Sequence, residues 1–266
     1  MTRVAAHEHE GADVEPRQTE LTVRLAAQGA MLNELRALVP LVSPESARED
    51  VRRLVLDENV LQRDSIASRK KVFQKFSTRY VPREAPLATA DFFRAVQAEN
   101  DPAQIALCAY VMMAWRDALV YLLGEEWLAQ MLRIAGFVAQ TDSILDELDW
   151  LADNRAPEIG KWGHISRARV AQHYLGLLRD CGFATGSARK TLRSPYVAPP
   201  VVLFGAQLIM GGGESAAAVP EHSLFRVLGL APADVIDALT ELNAEGRVIF
   251  AVQGNVTHIA FREAHV

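Results

Sequence analysis

Cysteine is nearly absent from this chain of 266 residues, which carries two. Two cysteines exclude a disulfide-stapled scaffold. Cys108 and Cys181 fall in apolar helical contexts, where a free thiol is read as a small core hydrophobe. Positive charge has no excess either: 28 Lys and Arg against 33 Asp and Glu give a net charge of −5. The protein as a whole therefore has no nucleic-acid signature, and any such surface has to be a local patch. Uninterrupted hydrophobic runs of membrane length are lacking too. The most apolar stretch, from Ile105 to Leu123, contains Arg116 and Asp117, a charged pair that is costly at mid-bilayer. It is read as one buried core helix. The first residues carry acids and no apolar secretion core, so the expected location is the cytoplasm, with no membrane partner.

Catalytic signatures are also missing. Gly211-Gly212-Gly213 lacks the Lys-Ser/Thr that would hold a phosphate and magnesium. No HExxH, no metal-spaced Cys/His set and no G-x-S-x-G elbow occurs. His164, His173, His222, His258 and His265 are scattered and read as surface or core residues. Asp146, Glu147 and Asp149 are neighbours without supporting ligands. His7 and His9 lie in a polar amino-terminal stretch, read as a flexible tail or a loose metal binder. The expectation is a protein that is not an enzyme, with no cofactor and no metal site.

What is present is helical periodicity. Apolar residues recur between Glu20 and Val39 at helical spacing, at Leu21, Leu25, Met31 or Leu32, Leu35 and Leu38. Pro40 and Pro44 stop that helix, and Ser43-Pro44-Glu45-Ser46 opens another that points Val51, Leu54 and Val55 one way. After a break at Asp57-Glu58-Asn59, a helix is expected from Ser65 to Tyr80 with Ile66, Val72, Phe73 and Phe76 inward. The core helix at 105–123 follows, then helices at 128–138 and 142–150. A linker at 155–163 precedes a helix capped by Ser166 that turns Val170, Tyr174, Leu177 and Leu178 inward. The chain is expected to be extended around 191–203. Short helices at 224–228 and 235–243 precede a hairpin, 248–252 with 256–261, about Gln253-Gly254-Asn255. Helix, turn, helix and hairpin is the order of a winged helix. The fold class is mainly α: a multi-helix body with helix-turn-helix or winged-helix-like modules and a small C-terminal β-hairpin. The domains are a disordered tail at 1–18, a basic helical module at 19–86, a central helical module at 87–156, and a winged-helix-like region at 157–266.

Charge taken segment by segment changes the picture that net charge suggests. Residues 125–158 hold eight acids against Arg133 and Arg155, a net of −6. That is read as a solvated helix face, or as a surface that repels DNA and orients the protein on it. Two other segments are basic. From Arg63 to Arg83 there are seven cations against Asp64, and from Lys161 to Arg193 seven against Asp180. Lys71, Lys75 and Arg79 are four apart and share a helix face. Ser65 and backbone N–H groups at that helix start suit a phosphate. In the second patch Ser166, Arg167 and Arg169 stand where a recognition helix would present side chains to a groove. Arg189 and Lys190 stand where a wing would touch phosphate. The candidate DNA contacts are therefore Ser65, Arg69, Lys70, Lys71, Lys75, Arg79, Ser166, Arg167, Arg169, Arg189 and Lys190.

Three stretches resemble one family. Leu56 to Ser65, followed by Arg69-Lys70-Lys71-Val72-Phe73, is similar to the "enlLqkrS…kr" segment of the BrxA family of BREX, or bacteriophage exclusion, systems. Ser166 to Phe183, ending Leu177-Leu178-Arg179-Asp180-Cys181-Gly182-Phe183, resembles its "S…lLrdaGll" segment. Phe225 to Leu230, Asp234-Val235 and Gly246-Arg247-Val248-Ile249 resemble its closing module. The resemblance implies a small all-helical accessory protein of phage defence, linked with DNA binding and with part of its fold likened to the NusB antitermination protein. It favours Arg69, Lys70, Lys71, Arg167 and Arg169 as DNA contacts. The expected function is a non-enzymatic, duplex-DNA-binding accessory protein. The alternatives are an adaptor between the other BREX components, or an RNA-binding NusB-like protein.

Overall fold

The computed structural model describes residues 21–23, 25, 29–254 and 256–262; the tail expected at 1–18 lies outside the described residues. Helix α1 (Leu32–Leu38) is followed by α2 (Ala47–Arg52), which widens into a π-helical turn at Arg53–Asp57. Next come α3 (Ile66–Tyr80), α4 (Pro86–Gln97) and α5 (Pro102–Arg116). Helix α6 (Ala118–Leu122), a second π-helical turn (Leu123–Leu128) and α7 (Ala129–Met131) lead to strand β1 (Val138–Ala139). Helices α8 (Thr141–Asn154) and α9 (His164–Asp180) precede β2 (Ala184–Thr185) and β3 (Lys190–Leu192). Then come α10 (Pro199–Gly211), α11 (Ser223–Arg226), α12 (Pro232–Ala244), β4 (Val248–Gln253) and β5 (Val256–Phe261). The architecture is mainly helical, as the periodicity indicates.

Helix α5 organises the packing. Gln104 and every residue from Ala106 to Arg116 are buried, the signature of a helix enclosed on all sides rather than one lying on a surface. Two buried tyrosines bed other helices on it. Tyr80, at the end of α3, stacks on Phe92 of α4 at 5.1 Å and donates to the Ala30 carbonyl at 2.5 Å. Its hydroxyl lies 3.6 Å from the Met113 sulfur. Tyr174, midway along α9, brings its hydroxyl to 3.5 Å from that of Tyr110. Tyr110 and Met113 are one helical turn apart, so α3 and α9 seat on neighbouring positions of the same helix. Arg116 is itself buried and donates to Glu84 at 2.6 Å. Both cysteines are buried; burial pushes the Cys108 thiol up to about 12 and raises Cys181 further.

The first sheet has the order β1-β3-β2, all antiparallel, with Val138 opposite Thr191 and Ala184 opposite Leu192. Strand, helix α8, helix α9 and then a hairpin whose second strand returns beside the first strand is a winged-helix topology. Gly186 makes the hairpin turn possible: a Cβ there would lie 2.1 Å from the Arg189 carbonyl oxygen, and φ is +92°. Helices α10, α11 and α12 with the β4–β5 hairpin give a second helix-turn-helix and wing, in the register Val248↔Phe261 to Gln253↔Val256. Strand β1 belongs to the stretch assigned to a central module, yet it pairs with β3 from the following region.

Several expected elements differ from those observed. The apolar stretch 105–123 is two helices meeting at 108°, because the Asp117 side chain accepts from Leu119 and Val120 N–H and restarts the helix. The helix expected at 128–138 ends by Met131, and Val138 is in a strand. The extended run at 191–203 stops early, since Pro199 and Pro200 occupy the first turn of α10, where no N–H donor is needed. The helix predicted from Glu20 starts at Leu32, with Met31 left-handed at φ 53°; part of that prediction falls outside the described residues. Gly163, not Ser166, stands at the N-cap of α9. Ile66, expected inside, is 64% exposed. Among the described residues no single helix is long and apolar enough to cross a membrane.

Tyr80→Ala is expected to lower unfolding free energy by about 3–5 kcal/mol, as for other large buried aromatics. Tyr80→Phe should cost about 1–3 kcal/mol, because the Ala30 carbonyl loses its donor. Urea unfolding measures both, and an alanine variant no weaker than the phenylalanine one would count against this anchoring.

Candidate nucleic-acid interface

The loop before α3 is held by its own side chains. Asn59 and Gln62 are left-handed, at φ 55° and 51°, a conformation that Asn tolerates better than most residues. The Asn59 amide accepts from Arg63 N–H at 2.8 Å and donates to the Arg63 carbonyl at 3.1 Å. Arg63 pairs with Glu34 at 2.7 Å, and Arg69 donates to the Leu56 carbonyl at 3.1 Å. Ser65 caps α3 by accepting from Ser68 N–H at 3.1 Å. Ser65 and Arg69 thus shape the start of the helix. Lys70 and Lys71 are exposed, while Lys75 and Arg79 are half-buried. Lys71, Lys75 and Arg79 form one stripe, from which Lys70 diverges by about 100° around the axis.

Helix α9 sorts its residues by face. Arg167 turns back to α8 and pairs with Asp149, which removes it from the outer surface. Ser166 is half-buried within the first turn. Arg169 is exposed, and shares its face with Ile165, which is 69% exposed, and with exposed Gln172. At the tip of the β2–β3 hairpin Arg189 is exposed, and Lys190 donates to the Ser187 carbonyl at 3.0 Å.

The two basic patches, far apart in sequence, meet at His173. Burial, and then the cations Arg79, Lys75 and Arg169, hold its imidazole below the ordinary histidine value. Burial, and then Lys71 and Arg79, likewise lower Lys75. Lys75 and Arg79 of α3 are therefore close enough to act on α9, and Tyr80 feels Cys181 just beyond it. The result is one basic surface made of Lys71, Lys75, Arg79, Arg169 and His173. Asp142, Asp146, Asp149 and Asp153 are exposed on α8 and bound this surface on the Arg167 side. Sequence reasoning missed Ile165, Gln172 and His173. The signal was available in the spacing, since all three fall within one turn of the Arg169 direction along the helix.

The second winged helix carries the opposite charge. On α12 and its last turn, Asp234, Asp237, Glu241 and Glu245 are exposed, spaced to share one face. No cation lies within α12. Among the described residues no cluster of three His, Cys, Asp or Glu is placed to hold a metal ion.

A family model described as BrxA matches residues 20–205, which include both basic helices and the first winged helix. A solved crystal structure of an uncharacterized protein from Magnetospirillum magneticum is similar over 80% of this chain and 98% of its own, with a TM-score of 0.58 at 16% identity. At that identity the likeness concerns the fold alone. The comparison with curated proteins finds no match.

The field around His173 has a stability consequence. Below the ordinary histidine pKa the unfolded chain takes up a proton that folded His173 resists, so this group draws stability away as pH falls. His173→Gln is expected to lessen the loss of stability between about pH 8 and about pH 5, measured from urea midpoints. An unchanged profile would mean that neither burial nor the neighbouring cations hold the proton off folded His173.

Proposed function

Since the chain belongs to the BrxA family and so serves BREX phage defence, we propose that it binds duplex DNA through the joint surface of α3 and α9, and catalyses no reaction. The observation that carries this reading is the convergence of Lys75, Arg79 and Arg169 about His173, with Lys71 beside Lys75. A local grouping of cations attracts a polyanion even on a chain whose net charge is negative. Phosphates held there also release counterions, which supplies most of the affinity. The acids on α8 confine the duplex to one side. Other BREX components are the expected partners of the rest of the surface.

A protein-docking role has its own support in the second winged helix. The acidic face of α12 would repel phosphate, and the outer face of its hairpin exposes Ile249, Ala251 and Val256. This suits an adaptor, and it is compatible with DNA held at α9. Structured RNA is the remaining alternative for the basic surface.

Lys71→Glu combined with Arg169→Glu, both at exposed positions, should reduce duplex binding to background in fluorescence anisotropy while leaving thermal unfolding nearly unchanged. For the wild type, log affinity should fall with log salt by about 0.9 per phosphate neutralised. Duplex binding by the double variant equal to wild type would sink the reading. Preferential competition by structured RNA would move it to RNA.

A further inference from the structure

A basic surface explains grip, but the outer stripe of α9 is not composed for grip alone. Ile165, Arg169 and Gln172 are exposed at i, i+4 and i+7, so they lie within about 60° of one another around the helix. The inward side of the same helix is sealed by Val170, Tyr174, Leu177 and Leu178. The helix stands where a winged fold places its reading helix, directly before the hairpin β2–β3, with Arg189 exposed at the hairpin tip. An isoleucine that is 69% exposed makes no contribution to the core and none to phosphate binding. The three side chains together are one apolar contact, one forked double donor and one amide. These are the groups that meet a thymine methyl, guanine O6 and N7, and adenine N6 and N7 in the major groove.

From this juxtaposition we infer that α9 reads base sequence in the major groove of duplex DNA, through Ile165, Arg169 and Gln172. The α3 stripe and the wing hold the flanking phosphates. Seven residues of helix advance about 10 Å, which is about three base-pair steps at 3.4 Å each. The preferred site is therefore a short one, with an adenine and a guanine on one strand within about three base pairs. Asp149 strengthens the arrangement by tying Arg167 to α8, which leaves Arg169 as the arginine of the first two turns directed outward. By contrast α12, in the equivalent position of the second winged helix, offers carboxylates and no cation.

This inference rests on the duplex reading above, and the experiment separates the two. Full-length protein is used to select from a randomised duplex library, and the enriched site is then compared with a scrambled duplex by anisotropy. The expected result is an enriched block of about three adjacent base pairs. Gln172→Ala should bind the scrambled duplex within about twofold of wild type, yet lose about 5- to 100-fold discrimination at a single position. Arg169→Ala should relax a different position, and Gln172→Glu should shift the Gln172 position towards cytosine, whose amino group a carboxylate accepts from. Lys71→Ala serves as the contrast, weakening all sequences alike. Wild-type protein that binds duplex but enriches no site would overturn the base-reading inference and leave duplex binding standing. So would Gln172 and Arg169 variants that select the wild-type site. Absence of duplex binding altogether would overturn both.

Discussion

Two tyrosines decide where the basic surface forms. Tyr80 and Tyr174 are each buried completely and each meets α5, at Met113 and Tyr110 respectively. A helix with no face left for water has to be coated on every side, and the aromatic rings of its neighbours provide much of that coat. Because the two contact points are one turn apart, α3 and α9 are drawn together, although about a hundred residues separate them in the chain. The cations on their outer sides are brought into each other's field as a by-product of core packing. The electrostatics of the surface are thus inherited from the interior.

Charge in this protein is sorted rather than balanced. The net of −5 hides a basic surface on α3 and α9, an acidic helix α8 beside it, and a second acidic helix, α12. Arginines that the sequence offers as equals do different work. Arg116 is buried against Glu84, Arg63 is tied to Glu34, Arg167 to Asp149, and Arg69 to a backbone carbonyl. A guanidinium fixed to a partner stabilises the loop or helix it braces and gives little to a long-range field. Lys70, Lys71 and Arg169 are exposed, whereas Lys75 and Arg79 are half-buried, so a count of basic residues overstates what a polyanion can reach.

Legibility followed the length of the signal. Helices with several turns of apolar spacing, α3, α8, α9 and α12, were readable to within a few residues, and so was the β4–β5 hairpin. Elements governed by one residue were not. Asp117 breaks an apolar run by capping, and composition alone cannot separate that from a charge tolerated mid-helix. Pro199 and Pro200 looked like extended chain, because a proline that opens a helix and one that prevents it have the same letter. The strand at Val138–Ala139 is two residues long, too short for any periodicity, and it exists only because β3 lies beside it. The basic patches could be seen one at a time. Their meeting could not, since it depends on tertiary contacts through α5. The family likeness lies in the order and spacing of three stretches together, and in the first of them, Leu56 to Ser65, the Asn59 and Arg63 bonds hold the loop.

The two thiols have a practical bearing on all of this. Cys108 and Cys181 are sealed in the core, and burial keeps both protonated near neutrality. A maleimide or a spin-label reagent needs a thiolate within reach, so neither native cysteine competes for it in the folded chain. One cysteine introduced at an outward position of α9 would then be the sole reactive handle. Labels could be placed beside the reading stripe of the protein as it stands, with no need to strip its own sulfurs and disturb the packing that aligns the two basic helices.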